Sequence, residues 1–178
     1  MDRKWWTLIV VCIATFMLLL DITIVNVALP SIQRALKSSF SDLQWVVDAF
    51  ALFLAALLLV GGAACDRFGR RRIFVLGVAL FGVSSLGCGL AGSVRALIVA
   101  RAVQGIAGAL LVPASLAIIS ASFAEGDRGA AIGTWSGATA TTAALGPVLG
   151  GWLIDHVSWR ASFFINLPLA MAAVALAL

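Results

Sequence analysis

Apolar residues in this chain come in runs about as long as a bilayer is thick, which leaves few folds open to it. Six runs are legible, at about 5–29, 43–64, 73–90, 96–123, 130–154 and 160–178. Each is near the ~20 residues that a helix needs to cross the hydrocarbon core. Charged residues make up 11% of the chain and hydrophobic ones 62%, with a mean hydropathy of +1.10. A soluble domain carries about 25% charged residues, so this chain has no surface to offer water. Period-2 segments near ten residues long are lacking, which argues against a barrel. The 17 glycines would weaken soluble helices, but in lipid they let backbones approach. Gly129, Gly133 and Gly137, at four-residue spacing, read as packing residues of the fifth span. The expected fold is an all-α membrane protein with six transmembrane helices.

A net charge of +4 and a pI near 9.6 raise the question of nucleic acid. The basic residues concentrate in one loop between spans, which points to anionic lipid headgroups and excludes nucleic acid as a partner. Cys12, Cys65 and Cys88 lack ligand spacing and read as small apolar residues, and His156 stands alone, so no metal site is expected. Met1-Asp2-Arg3-Lys4 and the run behind it resemble a signal peptide, but the run is too long and no small-residue cleavage site follows. It reads as a first membrane helix that stops at Pro30, followed by a short amphipathic connection over 31–42. Ser41-Asp42-Leu43-Gln44 reads as a capping box opening the second span. Pro113, Pro147 and Pro168 are expected to interrupt the fourth, fifth and sixth spans. With the amino terminus inside, seven basic residues (Arg3, Lys4, Arg67, Arg70, Arg71, Arg72 and Arg128) fall on the inner side and four (Arg34, Lys37, Arg95 and Arg160) on the outer. That bias sets the expected orientation, amino terminus cytoplasmic.

The loop Gly62-Ala63-Ala64-Cys65-Asp66-Arg67-Phe68-Gly69-Arg70-Arg71-Arg72 holds four of the chain's twelve Lys and Arg residues within six positions. Its spacing resembles the loop between the second and third helices of the major facilitator superfamily. Three further patterns point the same way. Leu97-x-x-x-Arg101-x-x-Gln104-Gly105 resembles the family's conserved-arginine motif. Gly146-Pro147-Val148-Leu149-Gly150-Gly151 resembles its antiporter motif, with Thr142 where that motif usually carries another glycine. Leu20-Asp21-Ile22-Thr23-Ile24-Val25-Asn26-Val27-Ala28-Leu29-Pro30 resembles the hallmark of the drug:proton antiporter-2 group, whose sixth helix is matched by Trp159-Arg160 and Phe164-Ile165-Asn166-Leu167-Pro168. The resemblance covers nearly the whole chain and implies the amino-terminal half of a major facilitator fold.

Two charges inside spans stand out without any family. Asp21 lies about 12 Å and Arg101 about 8 Å from the outer ends of their helices at 1.5 Å per residue. At such depth a charge persists when it is paired or faces water, and the two are expected to pair across a central cavity. In one reading Asp21 binds and releases a proton beside Arg101; in the other the pair is structural. Asn26 and Gln104, with Thr23, are candidate cavity-lining polar residues. Asp48 reads as a solvated acid at a helix start, with a second cavity carboxylate as the alternative.

The resemblance implies more. Asp66 and the loop arginines, with Gly62 and Gly69, would form a conformational latch. Asp66 would face a helix of the missing half, and Arg70 or Arg71 would reach Glu125 or Asp127; simple headgroup anchoring is the plainer alternative and suits Arg72. Gly146, Pro147, Gly150 and Gly151 would kink the fifth helix and pack it against the opposing half, or serve packing alone. The implied activity is proton-coupled efflux of drugs or other amphipathic small molecules across the cell membrane, driven by the proton gradient without a cofactor. The carboxy-terminal half is expected to be absent, because the sixth span stops without a flanking loop. A facilitator of another specificity, or a half-length membrane protein that pairs with itself, are the rivals. An enzyme is disfavoured, since no nucleophile–base pair or nucleotide loop is present.

Overall fold

The computed structural model describes residues 3–177 and consists of seven helices: α1 Arg3–Leu36, α2 Phe40–Phe68, α3 Arg70–Leu90, α4 Val94–Ser122, α5 Glu125–His156, α6 Ala161–Phe164 and α7 Asn166–Ala177. Met1, Asp2 and Leu178, the last of which ends the sixth expected span, lie outside the described residues. Helices α1 to α4 are each long and apolar enough to cross a membrane, and Ala161–Ala177 forms a shorter apolar helical stretch. The 32-residue α5 is rich in Gly, Ala and Thr, which lowers its hydropathy while keeping its length. The chain is a multi-pass membrane protein built from six helical passes, the last broken at Ile165.

Several helix ends differ from expectation, each for a local reason. α1 does not stop at Pro30 but runs on to Leu36. Beyond the proline, Ile32 is wholly buried in a cluster with Ala28, Leu43, Val46, Leu97 and Phe163, and that burial holds the extra turn. The helix ends where Lys37 takes φ 49° and Ser38 N–H reaches back to Gln33 O at 3.2 Å, a Schellman closure made without glycine. The capping box of α2 sits two residues earlier than Ser41. Ser39 Oγ accepts from Asp42 N–H at 3.1 Å and Asp42 Oδ2 accepts from Ser39 N–H at 2.9 Å, so Gln44 has no part in it. Between α2 and α3 only Gly69 is non-helical, at φ 93° and ψ 132°, a region where a side chain costs about 1–3 kcal/mol.

Pro113 and Pro147 do not interrupt their helices. Pro113 cannot donate to Ala109 O. At that carbonyl α2 comes so close that a Cβ on Gly61 would run into Ala109 O and lie 3.3 Å from Pro113 Cγ. The freed carbonyl therefore faces the Gly61 backbone, a contact of the weak Cα–H···O kind. The same helix pair closes again at Gly105, where a Cβ would strike Phe50 O. Two buried clusters result. One joins α1, α3 and α4 through Met17, Phe74, Phe81 and Leu111; the other surrounds the far end of α1.

The glycines of α5 divide in an unexpected way. Around Gly129, Gly133, Gly137 and Gly151 a Cβ would meet nothing within 4 Å, so within this chain they are not packing residues. Gly146 and Gly150 instead seat α5 on α1, where a Cβ would collide with the Thr23 hydroxyl and lie 3.3 Å from Ile24 Cα respectively.

Overpacking a tight crossing costs about 1–3 kcal/mol. Gly105→Val, pressed on the Phe50 backbone, is expected to lower the detergent melting temperature of the full-length protein by several degrees. Gly92→Ala, in open space, should leave it unchanged. Equal melting of both variants would contradict the α2–α4 crossing.

A buried carboxylate–guanidinium network as candidate functional site

Asp21 is completely buried and Arg101 is 2% exposed. Arg101 Nη1 donates to Asp21 Oδ2 at 2.5 Å and to Gln104 Oε1 at 2.8 Å. Its Nε donates to Val46 O at 3.2 Å, and its guanidinium lies 4.3 Å from the Phe50 ring centroid. Asp21 Oδ1 accepts from Gln104 Nε2 at 3.0 Å and from Asn166 Nδ2 at 2.8 Å. The carboxylate thus receives three donors, on α4 and α7, while it projects from α1.

A second layer fixes the amides. Ser85 Oγ on α3 accepts from Asn166 Nδ2 at 2.9 Å and from Gln104 Nε2 at 3.4 Å, and donates to Phe163 O at 2.9 Å. Cys88 Sγ, also on α3, lies 3.5 Å from Gln104 Oε1. Asp21, Arg101 and Cys88 are the titratable groups of the network; α2 contributes only a carbonyl and an aromatic face. The desolvation of such a pair costs several kcal/mol per ion and is offset only when its hydrogen bonds are complete. Here they nearly are.

Gln104 and Arg101 share one face of α4 at i and i+3, so their part in the network was readable from spacing. Ser85 and Asn166 carry no such spacing, and Cys88 reads from the sequence only as a small apolar residue, whereas the fold sets it beside Gln104. Asn166 stands in the quoted Phe-Ile-Asn-Leu-Pro stretch, and an amide two residues before Pro168 in an apolar span was the available signal. Asn26 stands outside the network. It is exposed, its Nδ2 donates to Ile22 O at 2.9 Å, and it makes no contact with Asp21. It does line a cavity of about 360 Å³ between α1 and α2, which Arg101 and Phe50 also border. Thr23 Oγ1 bonds back to Leu19 O at 3.0 Å and faces Gly146. Asp48 is exposed and does not border that cavity.

The loop residues are also redistributed. Asp66 and Arg67 belong to the last turn of α2, Gly69 is the turn, and Arg70 and Arg71 open α3. Arg70 Nη1 donates to Ala117 O at 3.3 Å and Arg71 Nε to Ala177 O at 2.7 Å. The expected contact with Asp127 is not made by either; Lys4 Nζ takes that carboxylate at 3.0 Å, and Glu125 forms no salt bridge among the described residues. The α1 amino terminus lies nearer to α5 than the arginines do, held by Trp5 edge-on to Phe123 at 5.6 Å. Gly62 faces Pro113 with room for a Cβ at 3.9 Å. Among the described residues no group of three His, Cys, Asp or Glu could hold a metal.

Removing one partner of a buried pair costs about 3–5 kcal/mol. Arg101→Leu is therefore expected to sharply reduce folded, membrane-inserted protein, and adding Asp21→Asn should restore most of it. Detergent melting of the full-length variants measures both; a double variant no better than Arg101→Leu would contradict the pairing.

A sequence signature described as Major Facilitator Superfamily matches residues 11–178. The tetracenomycin C resistance and export protein of Streptomyces glaucescens is 45% identical over 172 residues, 97% of this chain and 32% of that protein. The puromycin resistance protein of Streptomyces alboniger is 44% identical over 97% of this chain and 34% of its own length. The methyl viologen resistance protein SmvA of Salmonella typhimurium is 36% identical over 99% of this chain and 36% of its length. The chain spans about a third of the length of the curated relatives it matches, their amino-terminal part. Among solved structures, the proton:xylose symporter XylE superposes with a TM-score of 0.85 at 18% identity, over 98% of this chain and 44% of that one. A bacterial homologue of the lysosomal transporter Spinster, inward-facing and unoccupied, gives 0.79 at 21% identity over 99% and 42%. Both share the fold. With the signature over nearly all its residues and helices that superpose on one half of those transporters, this chain belongs to the Major Facilitator Superfamily.

Proposed function

We propose that this chain is the amino-terminal half of a transporter that exports drugs or other amphipathic small molecules in exchange for protons, with Asp21 as the proton carrier. The observation that carries the reading is the Asp21 carboxylate itself. It is wholly buried, it is paired to Arg101, and its guanidinium partner borders a cavity between α1 and α2. A carboxylate held in this way can exchange its proton through that cavity, while loss of its charge loosens α1 from α4. The relatives support the substrate class, since they are named for resistance to or export of tetracenomycin C, puromycin and methyl viologen. The carboxy-terminal half of the same transporter would supply the other wall of the substrate cavity. No cofactor is needed, because the proton gradient is the energy source.

The rest of the pattern fits. Asp66 at the carboxy-terminal end of α2 and the arginines at the amino-terminal end of α3 stand against the local helix dipoles, so helix stability does not account for them. Asp66 is exposed with no hydrogen bond or ion pair among the described residues, and awaits a partner from the opposing half. Arg67, Arg70 and Arg71 complete this latch, and the sharp turn at Gly69 sets its geometry. Gly146 and Gly150 hold α5 on α1, leaving Pro147 and Gly151 on the side open to the other half. The basic ends of α2 and α3, with Lys4, support an amino terminus on the cytoplasmic side of the cell membrane.

The test uses the complete transporter in inverted membrane vesicles acidified inside, with an ethidium-type cation as the transported dye. Asp21→Asn is expected to abolish acid-driven dye accumulation per folded transporter, with rates normalised to the amount of membrane-inserted protein, and Asp21→Glu to retain part of it. Acid-driven accumulation in Asp21→Asn at the parent rate would end this reading.

A further inference from the structure

Asn166 and Ser162 hold two of the three buried side-chain oxygens that lack a hydrogen-bond partner among the described residues: Asn166 Oδ1 and Ser162 Oγ. Both residues are completely buried, and they stand one turn apart across the α6–α7 break at Ile165. The orientation of the Asn166 amide is dictated by charge. A carboxylate only accepts, so Asn166 must turn its Nδ2 to Asp21, at 2.8 Å, and to Ser85 Oγ, at 2.9 Å. That orientation leaves its oxygen empty.

Resting on the proposal that Asp21 is the proton carrier, we infer that Asn166 is a positioning residue whose amide turns over when Asp21 is protonated and passes that change to the α6–α7 break. A proton arriving on Asp21 from bulk water makes one carboxyl O–H, which needs an acceptor. Gln104 Oε1 already accepts from Arg101 at 2.8 Å, with Cys88 at 3.5 Å. Asn166 Oδ1 is the empty acceptor in contact distance of the network. Turning the amide by half a revolution presents Oδ1 to the Asp21 O–H. The orphaned Asn166 oxygen is thereby satisfied in the neutral state, which accounts for its being orphaned in the charged one.

Ser85 transmits the turn. With Asp21 ionised, its hydroxyl proton goes to Phe163 O at 2.9 Å, just before the break. Once Asn166 presents an oxygen, the Ser85 O–H has a new acceptor there and releases Phe163 O. Pro168 already denies Phe164 O its helical donor. The α6–α7 junction would then hold two adjacent carbonyls without their partners, and the helix can re-form its break in a second arrangement. No bond other than hydrogen bonds changes in these steps, and the proton stays on Asp21.

The test is infrared difference spectroscopy of the purified full-length transporter between low and high pH, reading the carbonyl stretch of protonated Asp21. The band is identified by its loss in Asp21→Asn. Asn166→Leu is expected to move it to the higher frequency of a carboxylic acid whose O–H is unbonded, and to slow proton-coupled efflux about tenfold, the upper end of the worth of one hydrogen bond between neutral groups. Ser85→Ala should keep the parent band yet slow efflux similarly. Should Asn166→Leu not accumulate, Asn166→Ala carries the same readout. An Asp21 band unmoved in either Asn166 variant, even with slowed efflux, would mean a purely structural role and overturn the inference. So would parent-rate efflux in Ser85→Ala. Absence of any band lost in Asp21→Asn would overturn instead the reading of Asp21 as proton carrier.

Discussion

One ion pair governs this bundle of helices. Asp21 and Arg101, at 2.5 Å and out of contact with solvent, are charges that a bilayer or an apolar core tolerates only when their hydrogen bonds are complete. Completing them draws a donor or acceptor from nearly every pass: Val46 O from α2, Ser85 from α3, Gln104 from α4 and Asn166 from α7. The network therefore fixes how the helices are rotated about α1. In the mechanism proposed above, protonating Asp21 removes the reason for Gln104 and Asn166 to point their amides where they do.

Close backbone approach supplies the rest. Helices in lipid gain nothing from burying apolar surface against one another, so contact area and backbone proximity decide. The α2–α4 crossing uses Gly61 against the carbonyl that Pro113 leaves free, and Gly105 against the Phe50 backbone; the α1–α5 crossing uses Gly146 and Gly150. Glycine on one helix and a proline-freed carbonyl on the next make one device. The open glycines of α5 show the complementary rule: a small residue packs only where another helix arrives.

Much of this was legible in the residues. Span lengths and the scarcity of charge required an all-α membrane fold, and the depths of Asp21 and Arg101 in oppositely directed helices forecast that they meet. What escaped was decided by tertiary contacts. Pro30 reads as a stop, yet burial of Ile32 carries α1 through it, and Lys37 ends the helix in a conformation usually left to glycine. Gly129, Gly133 and Gly137 form the cleaner repeat, but Gly146 and Gly150 make the contact. Asp127 looked like a partner for the loop arginines, and Lys4 lies nearer. Asn166 was hidden because an amide beside a proline in an apolar span has many uses, and only the fold brings it to a carboxylate on the first helix.

The central claim is that Asp21 exchanges its proton against substrate. The most direct measurement is proton release on adding a transported cation to the purified full-length protein in weakly buffered detergent solution. The account predicts release from the parent protein and none from Asp21→Asn with the rest of the chain intact. Equal release from both would contradict it and reduce the Asp21–Arg101 pair to scaffolding.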